Sequence, residues 1–154
     1  RIDNGRTEAI GDRAEGVLQE HGVKVVDCYL LGARMTGVKG DERSYTHPAV
    51  LRLRAEGGEE LITHEQCAEL FLALTGDPRL DLSRVLLDIS SEERAGPYLV
   101  GMRAVESAHA MTARNMRLRH ETIIRIRDRL ERMPGVAGVL YDIGNKPSAT
   151  IEPE

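Results

Sequence analysis

An α+β fold built from two repeated strand–helix–strand units is predicted by three observations on the 154-residue sequence. Pro48-Ala-Val-Leu-Arg-Leu-Arg54-Ala55 is matched without a gap by Pro97-Tyr-Leu-Val-Gly-Met-Arg103-Ala104. Val85-Leu-Leu-Asp-Ile89 is matched, in the same order along the chain, by Val139-Leu-Tyr-Asp-Ile143. Between the members of each pair lies a stretch whose apolar residues recur at helical spacing. The expected architecture has helices packed on one face of antiparallel sheets, with the two units facing each other as a pseudo-dimer. The expected organisation is a leading helix over 1–22, a first unit over 23–96 and a second over 97–154.

Each element has a local reason. Ile10, Ala14, Val17 and Leu18 form a helical stripe across Thr7 to His21, which Gly22 ends. Lys24 to Met35 reads as a strand, and Pro48 opens another, Ala49 to Ala55. Thr63-His64-Glu65-Gln66 is a capping-box pattern, and the helix behind it carries Cys67, Leu70, Phe71 and Leu74 on one face before Gly76-Asp77-Pro78 stops it. A strand follows over Val85 to Ile89, then a polar linker from Ser90 to Gly96. The second helix is expected over about His120 to Met133, burying Ile123, Ile124 or Ile126, Leu130 and Met133. Spacing between the copies grows from 49 to 54 residues, which places a five-residue insertion in a loop from Val105 to Arg119. Val136 to Tyr141 reads as the last strand, too short and too β-branched for a helix.

Composition narrows the function. One Phe, four Tyr and no Trp make the core aliphatic, and a formal charge of −4 argues against a general polyanion binder. Cys28 and Cys67 sit in apolar patterns without metal-ligand spacing, as reduced core thiols of a cytoplasmic protein. No run of about 18 apolar residues is present, so no membrane span is expected. The chain opens on Arg rather than Met, as a processed chain or the ordered part of a longer one would. The arginines from Arg114 to Arg132 are interleaved with Glu121, Asp128 and Glu131. They read as a solvated face with pairs such as Asp128–Arg132, not as a nucleic-acid surface. His64 and His120 lie near helix starts, where capping or solvent-facing roles are expected, and no metal set or catalytic set is legible.

Two stretches carry candidate chemistry. Gly37 to Tyr45, GVKGDERSY, puts Asp41 and Arg43 in a glycine-bearing loop. That loop is either a charged surface hairpin or a place where Asp41 accepts, and Arg43 donates, hydrogen bonds to a polar ligand. The terminal NKPSATIE stretch puts Lys146, Thr150 and Glu152 on a segment stiffened by prolines. It reads as a strand cap, or as a tail that wraps a phosphorylated ligand. The GDER loop precedes only the first copy and the Lys-Pro tail follows only the second, as expected of one composite site.

Taken together, LLGARMTGVKGDERSY, YLVGMRAVESAHAMTARNM and GVLYDIGNKPSATIEPE resemble the C-terminal domain of GMP synthetase. The resemblance covers residues 28–47 and 98–154 in detail, and it departs from the family pattern near Val25 and at Gly32, Ser148 and Pro153. It implies a substrate-binding and dimerisation region of an enzyme that converts xanthosine monophosphate, ATP and glutamine or ammonia to guanosine monophosphate. The substrate-binding residues it implies are Asp41, Arg43, Lys146, Thr150 and Glu152. ATP and Mg2+ would belong to the parent enzyme, not to this chain. The implied partners are xanthosine monophosphate and an ATP pyrophosphatase domain, upstream or on another chain. The duplicated units resemble enlarged members of the family and imply a monomeric pseudo-dimer or a homodimer. The pyrophosphatase loop and a glutaminase set are both missing from these 154 residues. The alternatives are a free-standing, non-catalytic relative working as a nucleotide-binding or protein-interaction module, and an unrelated α+β regulatory domain.

Overall fold

Ile10, Ala14 and Leu18 recur every four residues, so they share one face of the first helix, α1 (Asn4–Leu18), and all three are fully buried. The computed structural model describes residues 4–32, 35–39, 42–58, 61–109, 112–115 and 118–144. After α1 a 3-10 turn covers Gln19–His21, and Gly22, at φ 69°, donates its N–H to the Gln19 carbonyl and turns the chain into the sheet.

Among the described residues, nine strands follow. They are β1 (Val23–Leu30), β2 (Met35–Lys39), β3 (Glu42–Thr46), β4 (Ala49–Ala55), β5 (Val85–Asp88), β6 (Tyr98–Met102), β7 (Val105–His109), β8 (Thr112–Asn115) and β9 (Val136–Asp142). Helix α2 (His64–Thr75) joins β4 to β5, and α3 (His120–Glu131) precedes β9. Five strands form one sheet in the order β1-β4-β5-β9-β6. β2 pairs with β3, and β7 with β8, as separate antiparallel hairpins. The stretch expected to hold the insertion carries the β7–β8 pair, and of the GDER residues Glu42 and Arg43 open β3, while Gly40 and Asp41 lie outside the described residues.

The five-stranded sheet is mixed, which corrects the expectation of antiparallel sheets. β4 runs parallel to β5, and β6 parallel to β9. A helix between two strands brings the chain back in its original direction, so each strand–helix–strand crossover makes a parallel pair. The sheet reverses at the central seam, where β5 and β9 pair antiparallel with Leu87 opposite Tyr141. Ile89 donates its N–H to Val139, and Ile143 donates to Val85, one at either end of that seam.

Side chains alternate across the sheet. Leu51, Leu87, Val139 and Tyr141 join Ile10, Leu18, Leu70, Phe71 and Ile123 in one core beneath the helices. Val50, Leu86 and Leu140 form a smaller cluster of their own with Tyr29 and Leu31. Helix α2 follows its sequence closely. Thr63 accepts from the Gln66 N–H, Gln66 reaches back to the Thr63 N–H, and Cys67, Leu70, Phe71 and Leu74 are buried. Burial of each such large side chain contributes about 1.5–3 kcal/mol.

Helix α3 follows its sequence in part, with Ile124 and Leu130 half-buried against the core. Ile123 is buried, but Ile126 and Met133 are exposed, while Arg127 and Glu131 are buried at 6% and 5% exposure. The solvated-face reading therefore fails at two positions. The linker after β5 folds onto this flank of the helix. Ser91 donates from both N–H and hydroxyl to Glu131, Arg94 donates to the Glu131 carbonyl, and Arg127 donates to Asp128 and to the Ile89 carbonyl. Asp128 is thus bound to Arg127, in place of the expected Arg132.

Candidate functional site at the end of strand β9

Strand β9 is a continuous apolar run that ends on Asp142, whose carboxylate is only 6% exposed. A buried carboxylate is stable only when its charge is paired and its oxygens are hydrogen-bonded. Both conditions hold. Arg84 Nη1 donates to Oδ2 at 2.8 Å, Arg103 Nη1 lies 3.9 Å from the same oxygen, and Oδ1 accepts the Gly144 N–H at 2.9 Å. Burial lowers the Arg103 pKa from its ordinary value, with Asp142 opposing that shift and Arg84 adding to it. Next to Asp142, burial pushes the Tyr141 hydroxyl up to about 12, so it stays a phenol at neutral pH.

Three chain segments meet at this carboxylate. Arg103 opens the stretch that leads into the β7–β8 hairpin, and Gly144 begins the segment that leads to the tail. Arg84 is tied to the base of the β2–β3 hairpin, because neighbouring Ser83 shares a 2.6 Å hydroxyl hydrogen bond with Thr46 at the end of β3. The Arg84 carbonyl also accepts the Ala49 N–H at the start of β4. The roots of both hairpins and of the tail are therefore fastened to one another by hydrogen bonds and ion pairs.

A comparable turn closes β5. Asp88 accepts from the Ser90 N–H at 3.0 Å and from its hydroxyl at 2.6 Å, with Arg52 3.5 Å away. Asp142 and Asp88 thus make the same hydrogen bond to the residue two positions on, but Asp88 is the more exposed of the two. His64 and His120, at the starts of α2 and α3, place their rings 5.4 Å apart, and His64 Nε2 bonds the Leu118 carbonyl. They link the two helix starts and cap neither helix: Thr63 is the N-cap of α2, and α3 follows Arg119 without a side-chain cap, which corrects the expected capping role. Burial, with Glu65 adding, pushes the Cys67 thiol up to about 12. Cys28 is half-buried, and both cysteines are free. Among the described residues, no group of three or more His, Cys, Asp or Glu is placed to hold a metal, and no helix is long and apolar enough to cross a membrane.

Of the sequence-predicted site residues, Asp41, Lys146, Thr150 and Glu152 lie outside the described residues. Arg43 is described at its backbone only, in β3 opposite Val38. Sequence reasoning missed Arg84, Arg103 and Asp142 as a cluster. The available signal was an acid closing an apolar strand, together with arginines beside two other strand ends.

The fold and this cluster define the class: a small mixed-sheet α+β domain whose motif-bearing segments are rooted at the end of one strand. The family model described as "GMP synthase C terminal domain" matches residues 83–153. A glutamine-hydrolyzing GMP synthase subunit from Saccharolobus solfataricus is 35% identical over 128 residues, covering 82% of this chain and 32% of the relative. The corresponding subunit from Methanocella arvoryzae is 45% identical over 65 residues, 42% of this chain and 21% of the relative. The glutamine-hydrolyzing GMP synthase of Thermomicrobium roseum is 42% identical over 65 residues, 42% of this chain and 12% of the relative. The chain belongs to the GMP synthase C-terminal domain family. It spans about a third of the length of the Saccharolobus solfataricus relative.

Proposed function

We propose that this chain serves a GMP synthase as its C-terminal substrate-binding and dimerisation region, in the step from xanthosine monophosphate to guanosine monophosphate. The observation that carries this reading is the common root. Asp142 is bound by Arg84 and lies 3.9 Å from Arg103, which precedes β7, and it accepts from Gly144, the last described residue before the Lys-Pro stretch, while Ser83, next to Arg84, bonds Thr46 at the end of β3. These anchors support a reading in which the GDER and Lys-Pro stretches serve one nucleotide. Lys146 meets the phosphate as a point charge, while Asp41 and Glu152 accept from ribose hydroxyls or purine N–H groups, with Arg43 and Thr150 beside them. ATP and Mg2+ serve an ATP pyrophosphatase domain elsewhere in the enzyme. The archaeal relatives are each named as one subunit of the synthase, which suggests that a further polypeptide works beside this one in the cytoplasm.

The reading includes a pseudo-dimer of two related units. It is supported by the seam, where Leu87 faces its sequence counterpart Tyr141, and where Ile89→Val139 and Ile143→Val85 exchange roles. The outer strands depart from strict symmetry. Leu51 stands opposite Leu87, but Met102, not Val100, stands opposite Tyr141, a slip of two residues.

Calorimetric titration of the chain with xanthosine monophosphate tests the proposal. A charge-assisted phosphate contact is worth roughly 1.5–3 kcal/mol, so Lys146→Ala should weaken binding about ten-fold to a hundred-fold. Unchanged affinity in that variant, or no binding by the unmodified chain at millimolar nucleotide, would overturn it.

A further inference from the structure

We propose that the groove between α1 and the turn after α2 binds a small phosphate monoester, held at its phosphate by Arg13 and Arg79 and at its hydroxyl groups by Asp12. The groove shares no residue with the cluster at Asp142 or with the residues assigned to xanthosine monophosphate.

One wall of the groove is α1, with Arg6, Ala9, Asp12 and Arg13; the other is the turn leading towards β5, with Asp77, Arg79 and Leu80. Its volume is about 580 Å³, within the span of about 300–1,000 Å³ usual for small-molecule sites. Arg6 and Arg13 are seven residues apart, which sets them about 20° apart around the helix and about 10 Å apart along it. The small side chain of Ala9 lies between them and leaves that stretch of the helix surface open. The opposite wall is tied in place. Arg6 donates from Nε to the Leu80 carbonyl and from Nη2 to the Asp81 carbonyl, both at 2.7 Å. At Asp81 the backbone holds φ 50°, a left-handed conformation that residues with side chains seldom adopt. A turn fastened to the helix in this way keeps the groove formed without a ligand, so binding bears little ordering cost.

The charges suit an anion that brings donors of its own. Three guanidinium groups against two carboxylates leave one net positive charge, in a chain whose formal charge is −4. Arg13 donates from Nε to the Ala73 carbonyl at 3.4 Å, a neutral acceptor, and its two Nη groups have no partner among the described residues. Arg79 uses Nε and Nη2 on Asp77, and its Nη1 has no partner among the described residues. The field of Arg13 also reaches Asp77, so both guanidinium groups lie close to one carboxylate. A tetrahedral phosphate can accept from two guanidinium groups at once, and such charge-assisted bonds are about twice as strong as neutral ones. Asp12 is exposed and has no ion pair or side-chain hydrogen bond among the described residues, so its carboxylate is ready to accept from ligand hydroxyls. It also repels a bare anion, which favours a hydroxyl-bearing ester over inorganic phosphate.

Titration of the intact chain with β-glycerophosphate, followed by amide NMR, should give saturable shifts at Ala9, Arg13 and Arg79 with a dissociation constant on the order of 1 mM. Inorganic phosphate should bind more weakly, and Asp12→Ala should remove that preference. Arg13→Gln should raise the dissociation constant for the ester about ten-fold or more. Ala9→Leu places a good helix former in the space between the two arginines and should abolish saturation with the circular dichroism melt retained. If Arg13→Gln loses its circular dichroism signal, Ala9→Leu carries the test. The proposal is overturned by the absence of saturable shifts at about 20 mM ester, or by an affinity indifferent to both Arg13→Gln and Ala9→Leu. Equal binding of sulfate and ester overturns it too, as the mark of a general anion patch only. Arg13→Gln should leave the xanthosine monophosphate titration unchanged, which keeps this test separable from the substrate-binding reading. Weaker xanthosine monophosphate binding in that variant would make the groove part of the substrate site and overturn the proposal.

Discussion

Replacing Asp142 with Ala tests whether one carboxylate roots the segments around β9. The side chain accepts at 2.8 Å from Arg84 and at 2.9 Å from the Gly144 N–H, and it lies 3.9 Å from Arg103. Removing one member of a buried ion pair costs about 3–5 kcal/mol, because the partner charge is left desolvated. Arg84 and Arg103 keep 22% and 18% of their side-chain surface in water, which moves the expectation to the lower end. Two hydrogen bonds to a charged acceptor, at about 1.5 kcal/mol each, lead to the same total of about 3 kcal/mol. For a chain of this length, that is a Tm lower by about 6–12 °C. In urea, with a slope near 2 kcal/mol/M, the midpoint should fall by about 1.5 M at unchanged slope. Asp142→Asn keeps an acceptor for Gly144 and should recover part of the loss. A loss below about 1 kcal/mol, the range of an exposed ion pair, would refute the clamp.

Gly138→Ala should destabilise by about 1–3 kcal/mol in the same urea assay, because a Cβ there would meet Ser90 Oγ at 2.9 Å and Leu99 at 3.1 Å. Ser90 accepts the Val139 N–H, so an unchanged midpoint would mean that the seam tolerates the shift. Asp77 is held down to about 2, first by its side-chain hydrogen bonds to Arg79, then by the Arg79 backbone N–H. A depressed carboxylate contributes stability above its ordinary value of 3.8 and loses that contribution as the pH falls towards 2. Carboxyl NMR titration should place its midpoint below that ordinary value, and a midpoint at or above 3.8 would contradict the pairing. Cys67, raised to about 12 by burial, should resist alkylation at pH 8 until the protein is unfolded; rapid native-state labelling at that position would show the core to be open.

What the sequence determined by itself is what a few neighbouring residues encode. The capping box at Thr63, the apolar face of α2, the span of β4 and the strand leading to Asp142 are all present as predicted, since caps and periodicity act over one or two turns or a short strand. The family likeness was legible for the same reason, as contiguous motifs at Gly37 to Tyr45 and Val139 to Glu154. Other features required the tertiary structure. Parallel or antiparallel pairing depends on which way each crossover returns, so the mixed sheet was not available from strand patterns alone. Arg127 and Glu131 read as solvent-facing charges until a linker from elsewhere in the chain supplied Ser91 and Arg94 as partners. Arg84 and Asp142 are 58 residues apart, and Arg103 joins them only because β9 lies between β5 and β6 in the sheet. Buried charges must find their partners in space, and no local pattern of residues carries that information.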